Sequence, residues 1–277
     1  PPYLRGHVFL KLIVIASMDV CLRIISLNPR SLYLIAYPGS MYSLCFSISC
    51  RAKIPRMPII APSLLASDFL RLGEECKMLE ESDADWFHLD VMDGRFVPNI
   101  SYGPMIIEFM RKTTKKPFDV HLMIVEPEKF AEEFKKAGAD HLIVHFEACA
   151  NLHRNIQQIK SLGMKAGVAI NPHTPVSFLI DVIQEIDTVC MMSVNPGYGA
   201  QKFIPHTISK IRELRKLIDT WNLPVLIEVD GGVTMENAND IIAAGADVLV
   251  AGNTVFKSKD PKATIAQLRS IEVPKNL

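Results

Sequence analysis

The chain has no net charge to recruit a partner of opposite sign. Thirty Lys and Arg balance 30 Asp and Glu, so bulk electrostatics gives no reason to expect a nucleic acid. Cysteine is sparse, with six residues and no pair in CxxC spacing. That argues against a disulfide framework or a cysteine zinc site, and fits a reducing compartment. Lys11 and Asp19 interrupt the apolar run near the N-terminus, well short of the roughly 18–20 residues a membrane-spanning helix needs. No membrane partner is therefore expected. The first predicted strand is not followed by Gly-x-Gly-x-x-Gly, which removes the dinucleotide-binding fingerprint.

Acid is also nearly absent from residues 1–56. Arg5, Lys11, Arg23, Arg30, Arg51, Lys53 and Arg56 face one acid, Asp19, and the remaining chain is left with 23 basic and 29 acidic residues. This head is apolar, basic and Ser-rich, with no clear stripe of period 2 or 3.6. The expectation is that it lies outside the fold. It reads first as upstream sequence translated ahead of Met57, and next as an organellar transit peptide, whose composition is Arg/Ser-rich and acid-poor. The location is then cytoplasmic in the first case and organellar in the second.

Residues 57–277 are regular. Short apolar runs, at Ile59–Leu64, Asp85–Val91, Phe118–Met123, His141–His145, Lys165–Ile170, Thr188–Val194, Val225–Val229 and Val248–Ala251, alternate with amphipathic segments. Helices are predicted near 69–81, 103–113, 127–137, 151–162, 175–185, 205–219, 234–244 and 261–270. Eight strand–helix pairs imply an α/β fold with parallel strands. In about 220 residues they imply one (β/α)8 TIM barrel spanning 57–277. An internal echo agrees: SDADWFHLD, AGADHLIVH and AGADVLVAG each place Asp at a turn before an apolar strand.

The polar residues that this pattern puts at C-terminal strand ends are the ones to weigh, because chemistry sits at that end of such barrels. They are Ser63, the pair His88 and Asp90, His121, Asp230 with Gly231 and Gly232, and Gly252 with Asn253. A histidine and a carboxylate on an apolar strand are expensive to bury unless paired or bound to metal. Two His and two Asp on three strands (His88, Asp90, His121, Asp230) form a candidate metal site, and that donor set suits zinc, iron(II), manganese or cobalt. Gly231, Gly232 and Gly252 follow the last two strands, where this fold frequently binds phosphate through backbone N–H groups. Other residues read as structural. His141, His145 and His173 fit satisfied core histidines, and Asp83, Asp93 and Asp140 fit turn residues. Met92, Met123 and Met192 fit either core filler or the apolar lining of a pocket.

The motifs IAPSLLASDF, HLDVMDGRFVPN, DVHLM, MSVNPGYGAQKF and EVDGGV…AGADVLVAGNTVF resemble, in order, those of the ribulose-phosphate 3-epimerase family. The resemblance implies an isomerase of the pentose phosphate pathway that interconverts D-ribulose 5-phosphate and D-xylulose 5-phosphate through an enediolate, with one divalent metal, Zn2+ or Fe2+. It implies metal ligands at His88, Asp90, His121 and Asp230, and acid/base roles for Asp90 and Asp230. It places substrate contacts at Ser63, His121, Gly197, Tyr198, Gly199, Ala200, Asp230, Gly231, Gly232, Gly252 and Asn253. A homo-oligomer, dimer or hexamer, is implied as well. The chain departs from the family pattern at Tyr198 and Ala200, where Phe and Gly are usual, and at Asn253, where Ser is usual. A positive φ at Ala200 would be strained. A 3-epimerase of a six-carbon ketose phosphate such as D-allulose 6-phosphate, and a barrel that only binds a phosphosugar, remain the alternatives.

Overall fold

The structure, a computed structural model, describes residues 22–28, 31–36, 47–48 and 57–272. By contact the chain divides into two units, Pro1–Ile54 and Pro55–Leu277. In the first, β1 (Leu22–Asn28), β2 (Ser31–Ala36) and β3 (Ser47–Ile48) form an antiparallel sheet in that order. The reading of residues 1–56 as leader or upstream sequence falls mostly outside the described residues.

The second unit holds eight parallel strands: β4 (Ile59–Pro62), β5 (Phe87–Met92), β6 (Phe118–Met123), β7 (His141–His145), β8 (Lys165–Ile170), β9 (Thr188–Met192), β10 (Leu226–Asp230) and β11 (Val248–Ala251). Their order is β4-β11-β10-β9-β8-β7-β6-β5. A parallel bridge from Ser63 to His88, with the Asp85 and Trp86 N–H groups on the Ile60 carbonyl, joins β5 back to β4. The result is the expected (β/α)8 barrel. Both faces of the strands are covered, which is why they read as continuous apolar runs.

The helices are α1 (Leu72–Glu80), α2 (Pro104–Arg111), α3 (Ala131–Ala137), α4 (Leu152–Ser161), α5 (Thr207–Thr220), α6 (Ala238–Ala243), α7 (Asn253–Phe256) and α8 (Pro261–Arg269). They pack Leu79, Phe134, Ile156, Leu214 and Ile241 against the outside of the strands. The predicted helix at 175–185 is instead a 3-10 segment, Val176–Leu179, followed by turns. Its β-branched Val176, Ile180, Val182 and Ile183 favour packing over helix continuation; Val176, Val182 and Ile183 are buried. Among the described residues, no helix is long and apolar enough to cross a membrane.

The Asp of the internal echo (Asp85, Asp140 and Asp247) does more than turn the chain, and Asp187 acts in the same way. Asp85, Asp140, Asp187 and Asp247 each accept the N–H of a neighbouring strand's residue: Ile60 at 3.0 Å, Phe118 at 2.8 Å, Ala166 at 3.0 Å and Ile227 at 2.9 Å. Each also meets a cation: Arg269, Arg111, Lys165 and Arg215 respectively. Asp140 is thus a strand-to-strand acceptor rather than only a local cap. This device recurs at the N-terminal end of the barrel and leaves the other end for chemistry.

Candidate metal centre and active site

Three strands carry the polar centre. The two-residue period of a strand turns His88 and Asp90 of β5, Asp119 and His121 of β6, and Glu228 and Asp230 of β10 toward one another. The β5–β6 register sets His88 opposite Asp119 and Asp90 opposite His121. The six residues form two layers, and His88 belongs to both.

In the upper layer, His88 Nε2 lies 3.3 Å from Asp90 Oδ1 and 3.8 Å from Asp230 Oδ2. His121 Nδ1 lies 3.2 Å and 3.4 Å from the same two oxygens. One atom from each of these four residues falls within 4.8 Å of the others. The four residues predicted as ligands, scattered over 143 positions of sequence, are therefore brought together. His88 Nε2 is buried and has no hydrogen-bond partner. An orphaned nitrogen facing two carboxylates is what a cation site looks like from its ligands. Two imidazole nitrogens and two carboxylate oxygens fit a divalent ion of the zinc and iron(II) class.

The charges agree. Burial alone would raise the Asp90 carboxyl, but the facing His88 and His121 outweigh it and hold Asp90 far below the usual carboxylate range. Burial alone would lower His88, but Asp90 and Asp119 outweigh it and push His88 well above the usual imidazole range. The metal-free pocket thus pulls protons onto its histidines, and a divalent cation would meet the same demand. Ser63 Oγ donates to Asp90 Oδ2 at 2.5 Å, which fixes the second oxygen of that carboxylate.

The lower layer was not foreseen. His88 Nδ1 lies 2.7 Å from Asp119 Oδ2 and 3.6 Å from Glu228 Oε1. Burial and the adjacent Asp119 raise the Glu228 carboxyl well above its ordinary range. The signal was available: each of these acids lies two residues before a predicted ligand and so faces the same way. His145, by sequence, fits a plain core residue. It instead lies 2.9 Å from His121, Nε2 to Nε2.

Above the centre, the C-terminal strand ends open into a cavity of about 540 Å³. Asp90 and Asp230 reach it, with Ser63, Gly197, Tyr198, Gly199, Ala200, Gly231, Gly232, Gly252 and Asn253 around them. His121 is fully buried below that lining. It is the one predicted substrate contact that the cavity does not expose. Met92, Met123 and Met192 line the wall, so these three are pocket residues. The loop carrying residues 197–200 is tied to the loop after β5. Tyr198 Oη donates to the Pro98 carbonyl at 2.5 Å, and Asn99 Nδ2 donates to the Gly197 carbonyl at 2.8 Å. Ala200 has φ 60°, the strained conformation anticipated for a residue with a β-carbon there. The family's usual Phe at position 198 has no hydroxyl, so the bond to Pro98 comes with the departure to Tyr.

Comparison with known proteins bears on this geometry. Residues 59–256 match the family model described as "Ribulose-phosphate 3 epimerase family". The chain belongs to the ribulose-phosphate 3-epimerase family. Within it, the chain is 52% identical over 211 residues to ribulose-phosphate 3-epimerase of Bacillus subtilis, covering 76% of this chain and 97% of that one. It is 50% identical over 218 residues to the chloroplastic ribulose-5-phosphate-3-epimerase of Arabidopsis thaliana, covering 78% of each. Among solved structures, KGPDC from Streptococcus mutans in complex with D-R5P superposes with a TM-score of 0.60 at 12% identity, over 78% of this chain and 99% of that one. That likeness speaks to the barrel alone. The family match covers all eight barrel strands and every site position named above.

Proposed function

We propose that this chain catalyses the epimerisation of D-ribulose 5-phosphate at C3 to D-xylulose 5-phosphate, with Asp90 and Asp230 as the acid/base pair. The observation that carries the reading is the convergence of both carboxylates on one buried histidine pair at the floor of an open cavity. Inversion at a carbon beside a ketone needs a proton taken from one face and a proton returned to the other. Carboxylates from β5 and β10, separate strands of the ring, can serve opposite faces of a sugar bound above them.

His88, Asp90, His121 and Asp230 would hold one divalent ion, Zn2+ or Fe2+, with Mn2+ or Co2+ as substitutes. Bound there, the ion supplies Lewis-acid stabilisation of the negative charge that develops on the substrate oxygens. The protein does the rest. Asp90 and Asp230 move the protons, and Ser63 holds Asp90 in place. Met92, Met123 and Met192 keep water from the reacting carbon, and Gly231, Gly232, Gly252 and Asn253 receive the phosphate. Tyr198 and Asn99 tie the surrounding loops over the sugar.

The free thiols of Cys76, Cys149 and Cys190 support a reducing compartment, cytoplasmic or organellar according to the fate of residues 1–56. A homo-oligomer, dimer or hexamer, goes with this reading through the family resemblance alone.

The test is turnover of D-ribulose 5-phosphate by the full chain, after chelation and metal restoration, beside Asp90→Asn and Asp230→Asn. Metal-dependent turnover that each substitution reduces by at least about 10²-fold is expected. Turnover of D-allulose 6-phosphate alone would move the assignment to the six-carbon sugar. No turnover of either by a folded, metal-loaded chain would leave only phosphosugar binding.

A further inference from the structure

The bond between His121 and His145 places two imidazoles nitrogen to nitrogen, at 2.9 Å, inside the barrel. One of these nitrogens must carry the hydrogen and the other must accept it. Which one does so is decided further along the chain of contacts. His145 Nδ1 lies 3.2 Å from Glu147 Oε2. Glu147 Oε1 accepts the Asn171 N–H at 2.8 Å and the Thr174 hydroxyl. An ionised Glu147 can only accept. His145 must then donate from Nδ1, present a bare Nε2, and take the hydrogen of His121 Nε2. This leaves His121 Nδ1, the atom that faces Asp90 and Asp230, as the nitrogen that a bound cation would occupy.

We propose that His145 and Glu147 are positioning residues that set His121 in the tautomer whose Nδ1 is free to bind a divalent cation. The proposal rests on the metal-site reading given above. Several observations support it. Glu147 sits at about 2: burial would raise it, but bonds from His145, Thr174 and the Asn171 N–H outweigh that. The His121 and His145 rings are nearly parallel, with centroids 5.0 Å apart, and Phe96 packs on His145 at 4.6 Å. The pair is held in register from both sides. Histidine ligands are commonly oriented in this way by a partner on the second nitrogen, and losing that partner typically weakens metal binding 10- to 100-fold. Here the partner is a second histidine, and the carboxylate stands one step further out.

Glu147→Gln is the sharpest variant, because it keeps the shape and reverses the hydrogen-bond logic. The Asn171 N–H holds the amide oxygen on its side, so the amide NH2 faces His145 Nδ1. His145 would then accept at Nδ1 and donate from Nε2, and His121 would carry its hydrogen on Nδ1. His145→Phe removes the acceptor altogether. His145→Gln restores it, with the amide oxygen toward His121 and the NH2 toward Glu147.

The experiment measures Zn2+ dissociation constants of the full chain by competition with a chromophoric chelator, and the histidine tautomers of the zinc-loaded protein by nitrogen-15 NMR. Glu147→Gln and His145→Phe are expected to bind Zn2+ at least about 10-fold more weakly than the parent, and His145→Gln within about threefold. In the parent, the hydrogens are expected on His121 Nε2 and His145 Nδ1. Affinity within twofold of the parent for both weakened variants, or a hydrogen on His145 Nε2 in the zinc-loaded parent, would overturn the proposal. The tautomer measurement needs no variant, so a misfolded His145→Phe does not remove the test. A parent that binds no Zn2+, or binds it unchanged after Asp90→Asn, would overturn the metal site itself and this inference with it.

Discussion

His88 Nδ1 lies 2.7 Å from Asp119 Oδ2, while Nε2 of the same ring, facing Asp90 and Asp230, has no hydrogen-bond partner. The lower contact fixes the ring and keeps a hydrogen on Nδ1, so the upper nitrogen is the one left for a cation at the cavity floor. Asp119→Asn keeps the shape but removes the charge that holds the Nδ1 hydrogen. Zinc affinity is expected to fall about 10- to 100-fold with the far-ultraviolet circular dichroism unchanged. A chelator competition titration checks it, and an unchanged constant would show that Asp119 only fills space.

The strained loop yields a second prediction, in stability. Ala200 sits at φ 60°, where an L side chain costs roughly 1–2 kcal/mol. Ala200→Gly removes that strain but adds about 0.4–1 kcal/mol of unfolded-state entropy. A net gain of up to about 1.6 kcal/mol is expected. For a chain of this size that is a rise in Tm of up to about 3 °C, read by differential scanning calorimetry.

Gly232 answers differently, because its surroundings are backbone. A β-carbon there would lie 2.5 Å from the Phe203 nitrogen and 2.9 Å from the Gln201 oxygen, at φ 64°. Backbone cannot step aside as a side chain can, so the loop around 201–203 must move away from the cavity. Gly232→Ala is expected to raise KM for the sugar phosphate by at least about 10-fold, with a smaller effect on kcat, because binding geometry is lost while Asp90 and the histidines stay in place. Steady-state kinetics separates the two constants.

Acid sensitivity follows from Glu147. Its pKa in the folded chain is about 2, below the ordinary value for Glu of about 4.3. A depressed carboxyl contributes stability that is full above the ordinary value and is lost as pH falls through the folded one. The contribution is on the order of 3 kcal/mol, and it vanishes between about pH 4.5 and 2. In metal-free protein, the stability difference between parent and Glu147→Gln is expected to be largest near pH 7 and to close over that window. Urea denaturation at several pH values measures it.

Much of the barrel was legible because its elements are local. Each predicted strand run overlaps an observed strand, since a strand buried on both faces must be apolar along its whole length. The predicted helix at 175–185 failed because buried β-branched residues satisfied the apolar spacing without a regular helix. Within the site, Asp119 and Glu228 went unnoticed although the strand period already aligned them with His121 and Asp230. His145 was misjudged for another reason. Nothing in HLIVH says which residue of the next strand its ring meets.

Local sequence carries the eight barrel strands, seven of the eight predicted helices, the family, and which polar residues share a face and an end of the sheet, because alternation along a strand is a property of a few adjacent residues. Folding of the whole ring is what makes β5, β6 and β10 converge, lets His88 bridge two layers of acids, and sets His145 behind His121. Those facts depend on closing the ring between β4 and β5. Closure brings together residues as far apart as His88 and Asp230, and no local periodicity carries that distance.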